Sequence, residues 1–176
     1  MKLLGISGSL IGEKLPGMMR EVLNHVQKND PGISIELMDL RDYAVEFVDG
    51  RPFSQYNRDT RTAVGKIKEA DLFIIGSPVY QASISGALKN LFDHLPPNVF
   101  EGKVVGLVMT GGTEKHYLVL EHHLRPIVTF LKGTVPPKTL FFHQDDDIYE
   151  DRIQRRIEEF VKELLHFQAK WGPGKN

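Results

Sequence analysis

Residues 72–95 read LFIIGSPVYQASISGALKNLFDHL. The unbroken apolar run Leu72–Ile75 is the pattern of a strand buried on both faces, as in parallel sheets covered by helices. It stops at Gly76-Ser77-Pro78, where small residues and a fixed φ make a loop. Beyond the loop, Ile84, Ala87, Leu88, Leu91, Phe92 and Leu95 recur at helical spacing until Pro96-Pro97 ends the pattern. Strand, loop and amphipathic helix make one βα unit, and the rest of the chain repeats it.

Upstream, Lys2–Ile6 is a short apolar run closed by Ser7-Gly8-Ser9. Pro16 opens a helix there, since its missing N–H costs nothing in a first turn. Met18, Met19, Val22, Leu23 and Val26 form its stripe, and Asn29-Asp30-Pro31-Gly32 breaks it. Ile33, Ile35 and Leu37 alternate with Ser34 and Glu36, the period of a half-exposed strand. Arg41–Asp59, polar with Gly50 and Pro52, reads as a long surface loop, and Thr60–Ala70 as a modest helix. Downstream, Val104–Met109 is a second continuous strand ending in Thr110-Gly111-Gly112. A helix is expected from about Lys115 to Leu131 despite Pro126, then a last strand within Thr134–His143. A closing helix carries Ile153, Ile157, Phe160, Val161, Leu164 and Leu165.

Five strand–helix units without a break in composition predict an α/β fold with a parallel sheet. The alternating second strand suits an edge and the continuous ones the interior. That distribution matches the strand order 2-1-3-4-5 of a flavodoxin-like three-layer sandwich. Residues 1–170 are expected to form a single domain, with 171–176 a frayed C-terminal tail.

Composition narrows the function. Lys+Arg 22 against Asp+Glu 23 leaves no basic surplus of the kind that neutralises nucleic-acid phosphates. With no cysteine, thiolate chemistry and disulfides are excluded. No apolar stretch approaches the roughly 20 residues that span a bilayer, and the first apolar run is too short for a signal peptide. The expected location is cytoplasmic, with neither membrane nor nucleic acid as partner. His116, His122 and His123 lack the i,i+4 spacing of a zinc-binding helix, so no metal site is expected. Asp145–Asp147 reads as a solvated turn, and Glu150 and Asp151 suit the first turn of the closing helix.

In an open α/β sheet, ligands bind beyond the carboxyl ends of the strands, at the topological switch point. Three loops fall there. Gly5-Ile6-Ser7-Gly8-Ser9 leads into the first helix and can present N–H groups to an anion; a plain strand-to-helix turn has the same composition, and neither GxGxxG nor a Walker A pattern is present. In Gly76–Ser83, Pro78 stiffens the chain and Tyr80 brings a flat face and a hydroxyl, either for a planar ligand or to cap the sheet. Thr110-Gly111-Gly112-Thr113 allows close approach to its backbone, for a ligand or for a tight turn.

Together these segments resemble the NADPH-dependent FMN reductase family of the flavodoxin-like superfamily. The likeness rests on Gly5–Ser9, on Gly76–Asp93 (GSPVYQASISGALKNLFD), and on Thr110–Pro126 (TGGTEKHYLVLEHHLRP), the last being most similar to the flavin reductases of two-component sulfonate monooxygenases. The resemblance implies FMN and NADPH (or NADH) as cofactors, with hydride passing from the nicotinamide to the flavin. It places the FMN phosphate on the first loop, with Ser7, Ser9 and Lys14 as side-chain donors. Pro78, Val79, Tyr80 and Ser83 would lie along the ribityl chain and ring. Thr110, Gly111 and Gly112 would meet the pyrimidine side, with His116 nearby. Because the cofactor carries the redox chemistry, no catalytic acid or base is assigned.

The resemblance further implies a homodimer or homotetramer built on the Gly86–Leu95 helix and the fourth helix, and a flavin-dependent monooxygenase as partner. Lys89 and Asp93 stand at i,i+4, which by itself favours a pair within the helix; the resemblance suggests one between subunits. The chain departs from the family pattern in two places. Its first loop continues Leu10-Ile11-Gly12-Glu13-Lys14, without the usual Arg and hydroxyl side chains and with an acid that would repel a phosphate. In the fourth helix, where some relatives insert a Tyr that makes a π-bulge, this chain has Glu121-His122-His123. Two other readings share these features: a reductase of quinones or azo compounds that keeps its FMN, and a non-enzymatic flavodoxin-type electron carrier.

Overall fold

The computed structural model describes residues 1–172. Its parallel strands are β1 (Lys2–Ser7), β2 (Ser34–Asp39), β3 (Leu72–Pro78), β4 (Val104–Gly111) and β5 (Leu140–His143), in the order β2-β1-β3-β4-β5. The helices α1 (Lys14–Asn29), α2 (Arg58–Glu69), α3 (Gly86–Asp93) and α5 (Asp151–Trp171) are regular. Between α3 and α5 runs a composite fourth helix, α4: a 3-10 turn Glu114–His116, a helical turn Tyr117–Val119, a π-helical turn Leu120–Leu124, and Arg125–Phe130.

Burial follows the apolar patterning. Every residue of β3 is buried, as is all of β4 but its last, whereas β2 buries only its final two residues. Alternation of side chains across the sheet then makes two cores. One face carries Phe73, Ile75, Val105 and Leu107 under α2, α3 and α4. The other carries Leu3, Ile74, Val104 and Val108 under α1 and α5. On that second face, Gly5 and Gly106 both stand in register with Ile74. A Cβ on Gly5 would meet Leu23 at 2.8 Å and one on Gly106 would meet Phe160 at 2.6 Å, so the two glycines let α1 and α5 lie close on the sheet.

Several boundaries differ from the sequence expectation, each for a local reason. Asn57 caps α2, its Oδ1 accepting from the Thr60 amide at 2.8 Å, so the helix takes Arg58 and Asp59 from the expected loop. The rest of that loop is ordered by two 3-10 turns, Leu40–Asp42 and Phe53–Gln55, and by Tyr56, whose buried ring hydroxyl donates to Asp49 at 2.9 Å. The last strand shrinks to Leu140–His143, because Pro136-Pro137 lack ladder donors; Thr134 makes only an isolated bridge to Val104. Glu150 precedes α5 instead of lying in its first turn, and Trp171, placed in the tail by sequence, ends that helix. Residues 173–176 of the expected tail lie outside the described residues.

α1 and α5 are joined by a polar cluster. The buried His25 ring lies 3.0 Å from Glu158 Oε2 through Nδ1 and 2.8 Å from Gln154 Oε1 through Nε2. The hydrogen bond from His25, helped by Lys162, holds the Glu158 carboxyl down to about 2. A depressed carboxylate contributes stability that is full above its ordinary value near 4.5 and is lost as pH falls towards 2. Glu158→Gln is therefore expected to cost about 1 kcal/mol at neutral pH. In urea denaturation series the gap between variant and parent narrows as pH drops from 4.5 to 2.

Candidate functional site

The three loops that sequence reading placed at one edge do meet at the carboxyl end of the sheet. The Gly8 amide donates to the Gly76 carbonyl at 2.8 Å, joining the first loop to β3. Ser85, which sequence reading did not single out, is the hub. Its Oγ donates to the Gly8 carbonyl at 2.5 Å and accepts from the Leu88 amide at 3.1 Å, capping α3, while its amide donates to Ser77 Oγ at 3.1 Å. The available signal was Ser before Gly-Ala-Leu, an N-cap pattern. Tyr80 Oη and Ser9 Oγ lie 3.3 Å apart across the first two loops, and the Val79 amide donates to the Thr110 carbonyl at 2.9 Å.

In the first loop Ser7 is fully buried and its Oγ has no hydrogen-bond partner among the described residues. Ser9 Oγ donates to the Ile11 carbonyl at 2.8 Å and also accepts from the Ile11 amide, folding the loop on itself. Gly12 takes φ +73°, a left-handed conformation natural to glycine. Lys14, expected to face a phosphate, directs its ammonium to the Asp146 carbonyl at 2.5 Å and so ties the loop to the segment after β5. The acid noted at Glu13 is ion-paired with Arg41 and Arg20. Hydrogen bonds from Arg41 and then Arg20 hold its carboxyl below the usual range. Arg41 was missed by sequence reading, because nothing local links it to a residue 28 positions earlier.

The second loop closes through paired backbone bonds of 3.0 Å between Tyr80 and Ser83. Gln81 and Ala82 both take positive φ, 46° and 59°, an uncommon conformation for side chains of this kind. Ser83 Oγ is 3.1 Å from His123 Nδ1, so the π-helical turn of α4 touches this loop directly. Pro78 stands in register with Thr110 at the end of the β3–β4 ladder. Tyr80 is 39% exposed, leaving its ring accessible.

In the third loop Thr110 is buried and Gly111 packs against His116, whose Nδ1 is buried without a partner. A Cβ on Gly111 would fall 2.8 Å from both His116 Cβ and Nδ1. The carbonyl of Gly111 accepts from the Gln144 amide at 3.0 Å and that of Gly112 faces His143 Nε2 at 2.8 Å. Behind the loop, Glu121 is pushed up by burial, but bonds from Arg125, Tyr117 and Thr139 outweigh this and lower its carboxyl overall.

The edge thus presents two buried polar atoms without protein partners, Ser7 Oγ and His116 Nδ1, one on the first loop and one behind the third. Buried polar groups are normally satisfied, and a phosphate-bearing ligand with a polar ring laid across the loops would supply acceptors or donors to both. The residues present therefore fit a flavin mononucleotide.

Comparison with known proteins agrees with that chemistry. The family described as NADPH-dependent FMN reductase matches residues 1–147. An NAD(P)H-dependent FAD/FMN reductase of Geobacillus thermodenitrificans is 42% identical, the match covering 94% of this chain and 92% of that one. An FMN-dependent NADPH-azoreductase of Staphylococcus saprophyticus is 32% identical, with 95% of each chain covered. Among solved structures, an NADH:FMN oxidoreductase in its apo form superposes with a TM-score of 0.81 over 98% of this chain and 90% of its own; at 24% identity this speaks to the fold.

The third loop yields a sharp expectation. Gly111→Ala should destabilise the protein by about 1–3 kcal/mol, through overpacking against His116. Gly112→Ala, whose nearest neighbour is the flexible Gln144 side chain at 3.3 Å, should cost under about 1 kcal/mol. Thermal and urea unfolding of the two variants measures the difference.

Proposed function

The chain belongs to the NADPH-dependent FMN reductase family, and from that premise we propose that this NAD(P)H-dependent FMN oxidoreductase handles FMN as an exchangeable substrate, releasing it reduced to a flavin-dependent monooxygenase in the cytoplasm. The observation that carries the exchange reading is the makeup of the first loop. Beyond its backbone amides it offers Ser7 and a Ser9 already engaged with Ile11, while Lys14 is turned to Asp146 and Glu13 adds negative charge at the helix entry. Such a loop grips a phosphate lightly.

When bound, FMN supplies the hydride acceptor and the electron carrier. The chain's own part is binding and orientation. Ser7 and the loop amides beyond Gly8, whose own amide is taken by the Gly76 carbonyl, would hold the phosphate. Pro78, Val79, Tyr80 and Ser83 would lie along the ribityl chain and ring edge, in a loop whose tight turn is locked by its paired backbone bonds. Thr110, Gly111 and Gly112 would border the pyrimidine side, with His116 and its buried Nδ1 packed behind them. The exposed Tyr80 ring would be free to pack against a bound ring. We read residues 1–170 as one domain.

A reductase that retains FMN and passes electrons to azo compounds is the second reading, favoured by the 32% identity to the FMN-dependent NADPH-azoreductase of Staphylococcus saprophyticus. The purified protein separates the two. Oxidation of NADPH or NADH that depends on added FMN, with little flavin retained, is expected. Tightly retained flavin with turnover only on an added azo dye or quinone would favour the second reading, and no nicotinamide oxidation under any condition would overturn both.

The oligomer proposed from the family likeness would use α3 and α4. Between them lies a groove of 420 Å³ lined by Phe92, Leu95, Pro126, Ile127 and Phe130, the last 72% exposed. An apolar face of this kind is what subunit association covers. The Lys89–Asp93 pair closes within α3 at 2.5 Å. Phe130→Glu is expected to reduce the assembly to monomers in light scattering after size exclusion; an unchanged mass would remove this face as the interface.

A further inference from the structure

Glu13 holds an unusual place. It is the residue immediately before α1, where an acid commonly caps the helix or favours its dipole. Here its side chain makes no cap, and no acid follows in the first turn. The carboxylate turns aside to Arg41 and Arg20, and is 68% exposed. Arg41 does not depend on this contact for its position. Its Nε donates to both oxygens of Asp39 at 3.1 Å and its Nη2 to Oδ2 at 2.6 Å, and Asp39 is only 10% exposed. Arg41 Nη1 also donates to the Gly12 carbonyl at 3.1 Å, which brings the guanidinium onto the loop itself. Thus a cation is fixed beside the loop by the buried Asp39 and paired on its other side with a solvent-exposed carboxylate.

We propose that Glu13 is an internal competitor for the phosphate of FMN, setting how tightly the loop discriminates FMN from flavin without a phosphate. The inference rests on the FMN reading above. Ser7, fully buried with an unpartnered Oγ at the start of the same loop, is the independent mark of an anion-accepting site there. A phosphate held by Ser7 and the loop amides meets the Glu13 carboxylate at one helix entry, and both compete for Arg41 and Arg20. Exposed ion pairs are weak, so displacement is feasible but taxes every binding event. Glu13 thereby loosens FMN while leaving the ring-binding loops untouched.

The test compares FMN with riboflavin, which shares the ring and ribityl chain but carries no phosphate. Dissociation constants come from flavin fluorescence quenching on the full chain for the parent, Glu13→Gln, and Glu13→Gln combined with Arg41→Gln. Glu13→Gln is expected to tighten FMN by about two- to fivefold, the size of an exposed charge interaction, with riboflavin unchanged. The double variant should lose that gain, because the unmasked cation is gone. An FMN-to-riboflavin ratio unaffected by Glu13→Gln, with both flavins bound, overturns this inference alone; equal tightening of both flavins overturns it too. If the folded parent binds neither flavin, the FMN reading fails with it. Circular dichroism and retained riboflavin binding show that each variant is folded.

Discussion

The peptide of Gly8 is held from both sides: its amide donates to Gly76 at the end of β3, and its carbonyl accepts from Ser85 at the start of α3. Everything at the ligand edge depends on this contact. A Cβ on residue 8 would lie 2.8 Å from the Gly76 oxygen and 3.0 Å from Leu88 Cβ, so only glycine permits the approach. Because the Ser85 hydroxyl also caps α3 while the Ser85 amide donates to Ser77 Oγ, one residue sets three things together: the exit of the first loop, the entry of α3, and the span of the second loop between them. The hydrogen bonds are buried, where leaving a partner unmade costs more than making one gains. The site is therefore preorganised by backbone geometry before any ligand side chain is considered.

The parts of the fold that are legible in sequence are those governed by burial over a repeating period. Leu72–Ile75 and Val104–Met109 announce interior parallel strands because both faces must be apolar, and the alternation at Ile33–Leu37 announces an edge because one face is wet. The order of the sheet followed from that contrast. What stayed illegible was set by contacts between distant residues or by single missing donors. The last strand lost its first half to Pro136-Pro137. Arg41 reached Glu13 across 28 residues, and Ser83 met His123 across 40, with no local pattern to mark either. The site loops were readable as small-residue segments following buried strands; the hub Ser85 was not, since its cap is local but its bond to Gly8 spans 77 residues.

The electrostatics of the first loop bear on the exchange proposed above. Each cationic group near the loop already has a partner: Arg41 on Asp39 and Glu13, Arg20 on Glu13, Lys14 on the Asp146 carbonyl. These bonds order the loop and its helix entry without ligand, which lowers the entropy that binding must remove. They also leave fewer free charges for a phosphate. The same ion pairs that order the loop are thus the ones a phosphate would have to displace, which is what the proposed exchange of flavin requires.

The π-helical turn of α4 completes the argument from the other side of the site. Sequence reading left open whether Glu121-His122-His123 forms a bulge, and Leu120–Leu124 is π-helical, with the Arg125 amide donating to the Leu120 carbonyl five residues back. Pro126 lacks the N–H that would close a normal turn on His122, so the ladder is already interrupted there and the wider turn costs less than it would elsewhere. The wide turn is not loose: Glu121 accepts from Tyr117, Arg125 and Thr139, which anchors it to the chain before β5. Fixed in this way, the turn places His123 against Ser83. The second loop contains two residues at positive φ and cannot hold its shape by side-chain preference alone. A helix distorted at one point thus braces a strained loop at another, and the shape of that loop depends on both.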